Sequence, residues 1–244
     1  MVKLRIMSEE NYKIKATDPA QYDLKELKWE NETIESPVRV FFRDYLKENL
    51  GILSGKKIID IGSGTGYLTK LYQELGAQEI FGVEPSRNNV EVSRKMNPGM
   101  TVVQSSLEDL VLETRFDIAV SVMVFEHIAD PESALKKVFN ILKAGGLFFF
   151  IFGDMDYHKT SRFDSDIEVQ NLENNEIATK TKRPNVLMYD IFRPVETYIK
   201  GAQEAGFSLE KHIKMVPTQQ LLVKMPRYIP FKDTVITHLF VLRK

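Results

Sequence analysis

The segment Ile58-Ile59-Asp60-Ile61-Gly62-Ser63-Gly64-Thr65-Gly66 decides how the rest of the chain is read. A short β-branched run passes straight into glycines. Leu68, Leu71, Tyr72 and Leu75 then recur at i, i+3, i+4 and i+7. The pattern predicts a strand, a tight loop and an amphipathic helix, with Gly76 placed to end the helix. Glycines let such a loop take positive φ and bring backbone amides against a ligand at the carboxyl edge of a sheet. The next strand, Ile80 to Val83, ends on Glu84, an acid placed to accept both hydroxyls of a ribose. Together these features predict a nucleoside-containing cofactor. A glycine turn that binds nothing is the bland alternative, and the matching acid at Glu84 argues against it.

Spacing narrows the choice of cofactor. The dinucleotide fingerprint is G-x-G-x-x-G, whereas the order here is Gly62-x-Gly64-x-Gly66 with Asp60 two residues ahead. A carboxylate at that place suits a pyrophosphate poorly and suits the ammonium of an amino acid well. A nicotinamide or nucleotide-sugar enzyme is disfavoured accordingly.

Working outward, Ser36 as N-cap and Pro37 open a helix with Val38, Phe41, Phe42 and Tyr45 on one face, and Gly51 closes it. A short helix through Val90 and Val92 stops before Pro98. Strands are expected over 101–103 and 116–124. Asp130-Pro131 caps a helix that turns Leu135, Val138, Phe139 and Leu142 inward and ends at Gly145-Gly146. The run 147–152 is continuously apolar, as a strand buried on both faces should be. A helix over 195–205 closes at Gly206, and strands over 207–214 and 235–242 read as an antiparallel pair at the sheet edge. Strands alternating with amphipathic helices predict a parallel sheet covered on both sides. Residues 154–188 break this rhythm. They are polar and too long for a connector, and are expected to form an inserted lid without a core of its own.

Bulk properties exclude several classes. The 244 residues are 43% hydrophobic and 27% charged, with a net charge of −1, so the chain has no global attraction to nucleic-acid phosphates or anionic membranes. Cysteine is absent, which removes disulfides, thiolate nucleophiles and the common zinc clusters. The start, Met1-Val2-Lys3-Leu4-Arg5-Ile6 followed by Glu9-Glu10, does not read as a signal peptide. A cytoplasmic protein is expected.

Five segments in order resemble the motifs of the class I S-adenosylmethionine-dependent methyltransferases, especially the small-molecule branch. Ile58 to Gly66 is similar to the first motif, and Val83-Glu84-Pro85-Ser86 to the second, whose acid binds the ribose diol. Ser105-Ser106-Leu107-Glu108-Asp109-Leu110 resembles the third. There Ser106 stands where an acid often holds the adenine amino group, and the Leu107 amide is the substitute contact. Phe116 to Ile128 resembles the fourth motif and Leu142-Lys143-Ala144-Gly145-Gly146 the fifth, where proline is commoner than Ala144. The resemblance covers about residues 56–152. It implies a doubly wound, Rossmann-like, seven-stranded, mostly parallel sheet with an antiparallel C-terminal edge strand. Residues 1–50 would form an N-terminal helical cap and 51–244 the methyltransferase domain. The implied cofactor contacts are Asp60, Gly62, Ser63, Gly64, Gly66, Glu84, Pro85, Ser106, Leu107 and Val122.

The implied chemistry is in-line transfer to a small-molecule acceptor, O- or N-methylation before C-methylation, by a monomer or homodimer. Methyl transfer from a sulfonium asks the protein mainly for positioning, exclusion of water and, for some acceptors, removal of a proton. His127, just after the fourth strand, is the titratable residue placed for that removal. The same position also suits a residue that merely shapes the loop, as does Glu126. Tyr12, Tyr22 and Trp29 are candidates to cover the cofactor, because aromatic faces attract a sulfonium; packing is the alternative for each. Tyr157, His158 and Arg162 are candidate acceptor contacts or solvated loop residues. His127, His158, His212 and His238 form no helix-spaced metal pair. A nucleic-acid or protein methyltransferase is a second reading, although Val122-Met123-Val124-Phe125 stands where an Asn/Asp-Pro-Pro-aromatic motif would mark a base methylase. A non-catalytic scaffold is a third, and Asp60, the three glycines and Glu84 argue against it.

Overall fold

A computed structural model describes residues 11–22, 36–160, 166–183 and 186–244. Trp29 and Arg162 lie outside the described residues. In chain order the first elements are α1 (Tyr12–Ala16), α2 (Pro37–Leu50), β1 (Lys57–Ile61), α3 (Thr69–Glu74), β2 (Glu79–Glu84), α4 (Arg87–Met96) and β3 (Thr101–Gln104). β4 (Phe116–Val122), α5 (Pro131–Ile141) and β5 (Leu142–Gly153) follow. Then come α6 (Met155–His158), β6 (Asp166–Asn171), β7 (Ile177–Arg183) and β8 (Val186–Phe192). The chain closes with α7 (Val195–Ala205), β9 (Ser208–Met215), α8 (Gln219–Lys224) and β10 (Thr237–Arg243).

Seven strands form one sheet in the order β3-β2-β1-β4-β5-β10-β9. β1 to β5 are mutually parallel, so their carboxyl ends share one edge. The chain winds outward from β1 in one direction and resumes at β4 in the other, which opens a crevice at that switch point. β10 runs antiparallel between β5 and β9. The reversed C-terminal strand is therefore present as expected, one place in from the edge that β9 occupies.

Alternation along β5 explains its unbroken apolar sequence. Phe149 and Ile151 face one core with Phe41, Leu46, Tyr72 and Leu239. Phe148, Phe150 and Phe152 face the other with Phe125, Leu135, Tyr198 and Phe240. A strand with helices on both faces has no solvated side, so a period of two leaves no polar positions. The second core is aromatic and close-packed: Phe150 lies 4.4 Å from Phe125 and 5.1 Å from Tyr198, ring centre to ring centre. On the first core, α2 contributes Phe41, Phe42, Leu46 and Leu50.

Several boundaries differ from the sequence reading. Ser36 makes no side-chain capping bond, although Pro37 begins α2. β4 ends at Val122 rather than at residue 124, because Met123 takes φ 55°, a conformation that interrupts a strand. Leu142 starts β5 instead of ending a helix, and Gly145 and Gly146 pair with the backbone of Lys244 at 3.0 and 2.9 Å.

The largest difference lies in residues 154–188. This segment is not a coreless polar lid: β6, β7 and β8 form a three-stranded antiparallel sheet. Its buried residues include Ile177, Ala178, Thr179, Thr181, Tyr189 and Ile191. Threonine counts as polar in composition yet packs in a strand as a β-branched residue, which hides the pattern. Ala16 of α1 completes a small cluster with Tyr189 and Ile191.

Phe150→Ala should remove the centre of the aromatic layer and lower the free energy of unfolding by about 3–5 kcal/mol. Urea unfolding measures it as a fall in midpoint with unchanged slope. A loss below about 1 kcal/mol would mean that the layer does not carry the core.

Candidate functional site

The site is assembled along the edge where β1, β2, β3, β4 and β5 end. After β1 the chain turns sharply, with Gly62, Gly64 and Gly66 at φ 65°, 54° and 76°. Each glycine has its own reason. A Cβ on Gly62 would lie 2.3 Å from a Val124 methyl, and one on Gly66 would lie 2.5 Å from the Asn97 amide nitrogen. At Gly64 a Cβ would meet nothing within 4 Å; there the backbone itself is laid open beside the edge. Asn97 ties the loop to the end of α4 by donating to the Thr65 carbonyl at 2.9 Å. Ser63 is buried against Gly82, and its hydroxyl has no hydrogen-bond partner.

Two acids flank the loop. Glu84, at the end of β2, accepts from the Gly64 N–H through Oε2 and from the Ser86 N–H through Oε1, both at 2.9 Å. The Asn89 amide also donates to Oε1, at 3.3 Å. Glu84 thus builds the loop as well as facing the edge, and a ribose diol would have to exchange with its longest contact, Asn89. Asp60 is only 3% exposed and accepts from the Tyr72 hydroxyl at 3.2 Å. Burial pushes its carboxyl up to about 7; the Tyr72 hydrogen bond lowers it and the nearby Glu84 charge raises it. Pro85 is partly buried, and Val122 ends β4 opposite Ile151 of β5. Ser106 spends its hydroxyl on its own turn, donating to Asp109 Oδ2 at 2.8 Å and accepting from the Asp109 N–H at 3.1 Å. Leu107 is buried in the core.

This donor set fits S-adenosylmethionine. The carboxylates of Asp60 and Glu84 offer hydrogen bonds and negative charge, and the uncrowded loop at Gly64 offers room, to a cation carrying an amine and a ribose, where a pyrophosphate would be repelled.

The second half of the site lies beyond β4. Met123, at positive φ, reverses the chain into a single 3-10 turn over Phe125–His127. The buried Glu126 accepts from the Gly153 N–H at 2.6 Å, and burial pushes its carboxyl up to about 7. Its Oε2 has no hydrogen-bond partner. His127 keeps 16% side-chain exposure. Its Nδ1 lies 3.2 Å from the Ala16 carbonyl, and its Nε2 meets the Tyr22 hydroxyl and lies 3.5 Å from Asp190 Oδ1. Burial holds its pKa below the usual imidazole value, while Asp190 pulls it upward.

Sequence reasoning missed the groups that build this half. Arg193 is completely buried and donates to the carbonyls of Phe125 and Ile128, both at 2.8 Å, and to Glu176 at 3.1 Å. Gln21 accepts from the Tyr189 N–H at 3.2 Å and donates to the Ala16 carbonyl at 2.9 Å. No local motif marks these residues, since their partners are distant in sequence. Of the other expected candidates, Tyr12 sits against the inserted sheet, donating to Glu168 at 2.5 Å. Tyr157 is buried beside Tyr228 and Phe231, and His158 stacks on Phe192 at 4.1 Å. His212 and His238, remote in sequence, meet at 3.0 Å, and His238 meets Asp154 at 3.0 Å. Among the described residues, no group of three or more His, Cys, Asp or Glu could hold a metal ion. No helix among them is long and apolar enough to cross a membrane.

A methyltransferase-domain family matches residues 34–212. The ubiquinone biosynthesis O-methyltransferase of Proteus mirabilis is 31% identical over 121 residues, 47% of this chain and 48% of that one. Its counterpart in Nitrobacter winogradskyi is 34% identical over 103 residues, 41% of this chain and 39% of that one. The matches thus span half or less of the length of these curated relatives. Among solved structures, an S-adenosylmethionine-dependent methyltransferase from Mesorhizobium loti superposes with TM-score 0.68 over 86% of this chain and 99% of its own, at 20% identity. One from Listeria monocytogenes gives 0.66 over 84% and 98%, at 18% identity. The chain belongs to the methyltransferase-domain family and has the fold of the class I S-adenosylmethionine-dependent methyltransferases.

Proposed function

We propose that the chain methylates a hydroxyl of a small-molecule acceptor, with His127 removing the acceptor's proton. The observation that carries this reading is the pairing of the His127 Nε2 with the Tyr22 hydroxyl. Because the Ala16 carbonyl can only accept, Nδ1 carries the hydrogen and Nε2 offers its lone pair. A neutral imidazole that already receives a phenol's hydrogen bond is placed to receive a proton from an acceptor hydroxyl. The curated relatives cited above, named as O-methyltransferases, support the same choice of atom.

In this reading, bound S-adenosylmethionine supplies an activated methyl on a sulfonium. Glu84 and the Gly62–Gly66 loop hold its ribose and backbone-facing parts, with Ser63, Pro85, Val122 and the Leu107 amide lining the remainder. Ser106, its hydroxyl engaged with Asp109, serves through its backbone. Asp60 receives the ammonium. The described parts of the N-terminal segment, residues 11–22, and of the inserted segment, residues 154–160, 166–183 and 186–188, form the cover over the acceptor. Tyr22 withdraws from Nε2 as the acceptor arrives, and the closed cover keeps water from the reacting atoms.

Four outcomes test the reading. Glu84→Ala should weaken binding of S-adenosylhomocysteine by about one to three powers of ten, since charge-assisted hydrogen bonds are each worth about 1.5–3 kcal/mol; calorimetric titration reads this directly, and unchanged affinity in a folded variant places the ribose elsewhere. Asp60 titrates at about 7 in the ligand-free protein, so below that pH it must give up a proton to pair with the ammonium. Affinity should therefore rise with pH up to about 7 and level off above it, by at most about tenfold per pH unit. The same titration in Asp60→Asn should lose this dependence. With labelled cofactor and a panel of phenols, alcohols and amines, transfer should favour hydroxyls. His127→Asn should lower turnover by about two to four powers of ten at nearly constant cofactor affinity; full turnover would leave catalysis to proximity alone.

A further inference from the structure

The inserted sheet does more than cover the site: one of its carboxylates faces the imidazole. β8 places Asp190 Oδ1 3.5 Å from His127 Nε2, with the two side chains 14% and 16% exposed. This approach is built from both sides. Three residues beyond Asp190, the buried Arg193 grips the carbonyls of Phe125 and Ile128, which bracket His127 in sequence. From the opposite side Gln21 bonds both the Ala16 carbonyl and the N–H of Tyr189, the neighbour of Asp190. The same Ala16 carbonyl holds Nδ1. Imidazole and carboxylate are thus fixed relative to each other by backbone bonds at four points.

The chemistry of the contact depends on the proton. With hydrogen on Nδ1, neutral His127 presents a lone pair at Nε2, and a carboxylate 3.5 Å away contributes no hydrogen bond. Once Nε2 takes a proton, the same carboxylate faces a cationic N–H. We infer that Asp190 is a positioning residue that acts through His127, stabilising the imidazolium formed as the acceptor hydroxyl gives its proton to Nε2. The inference rests on the reading of His127 as the base. The step balances with the cofactor bound: the acceptor's O–H bond breaks and its proton ends on Nε2, while the oxygen's electron pair would form the O–CH3 bond as the sulfonium's S–CH3 bond breaks, that bond's pair leaving on sulfur as a neutral thioether. Stabilisation of the charged product with none for the neutral reactant is the kind that lowers a barrier.

Among the described residues, the other charged or titratable groups around His127 include Tyr22, which meets its Nε2, Arg193, and Glu126, its neighbour in the chain. Arg193 opposes the imidazolium, and burial opposes it more strongly. The Tyr22 hydroxyl is held in its neutral form by burial and by the charges of Asp190, Glu84 and Glu126, so it donates to Nε2 and does not act as a second anion. Asp190 supplies the first upward pull on His127.

The test pairs imidazole NMR titration of the ligand-free protein with methyl transfer from labelled cofactor to catechol, a phenol matched to the Tyr22 hydroxyl. In Asp190→Asn, which keeps the side chain's shape, the His127 midpoint should move to lower pH. Turnover should fall about 10–100-fold, its acid limb should shift down with the midpoint, and the KM for cofactor should stay unchanged. Asp190→Glu should restore part of the loss. An unmoved His127 midpoint in Asp190→Asn would overturn the proposal whatever the acceptor. Loss of turnover in His127→Asn beside full turnover in Asp190→Asn would overturn it while leaving the base reading intact. Full turnover in His127→Asn would overturn both.

Discussion

The guanidinium of Arg193 has left water completely and exchanged it for two backbone carbonyls and one carboxylate. A buried cation is tolerated only when paired and hydrogen-bonded, and removing one partner of such a set costs about 3–5 kcal/mol. The constraint runs both ways. The carbonyls of Phe125 and Ile128 cannot leave Arg193 without orphaning it, so the turn that carries Glu126 and His127 is locked to the end of β8. Everything beyond the cofactor edge depends on that lock: the orientation of His127, the approach of Asp190, and the docking of Ala16, Gln21 and Tyr22 on the same sheet. The inserted strands and the N-terminal segment are structural parts of the site because one charge cannot be abandoned in the interior.

At the cofactor edge the governing constraint is electrostatic. Parallel strands deliver Asp60, Glu84 and Glu126 to one rim. Burial holds Asp60 and Glu126 near neutrality, both at about 7. Glu84 belongs to a different regime, anchored by two backbone N–H groups at 2.9 Å. The rim can therefore gain negative charge when a cation arrives, at the cost of a proton. That property suits a ligand bearing an ammonium and a sulfonium, and it follows from burial rather than from any single motif.

Much of this was legible in the chain. The glycine loop, the acid ending the second strand and the apolar run of β5 each obey a short-range rule, either a backbone conformation only glycine tolerates or a period-2 pattern buried on both faces. The family followed from their order, and His127 stood out as the titratable residue next to a strand end. The inserted sheet did not announce itself, because Thr179 and Thr181 are polar by composition and buried in fact. Gly145 and Gly146 looked like a helix stop because their pairing partner, Lys244, lies about a hundred residues away. Met123 gave no warning of its positive φ, since only the surrounding loop imposes it.

The sequence by itself determined the architecture, the class of cofactor and the rim proposed to bind it, because these depend on neighbours within a few residues along the chain. Tertiary structure alone decided what surrounds His127. Ala16, Tyr22, Asp190 and Arg193 lie 111, 105, 63 and 66 residues away in sequence. No periodicity links them. They meet because the inserted sheet, the N-terminal segment and the turn after β4 bury their polar backbone groups and one guanidinium against each other.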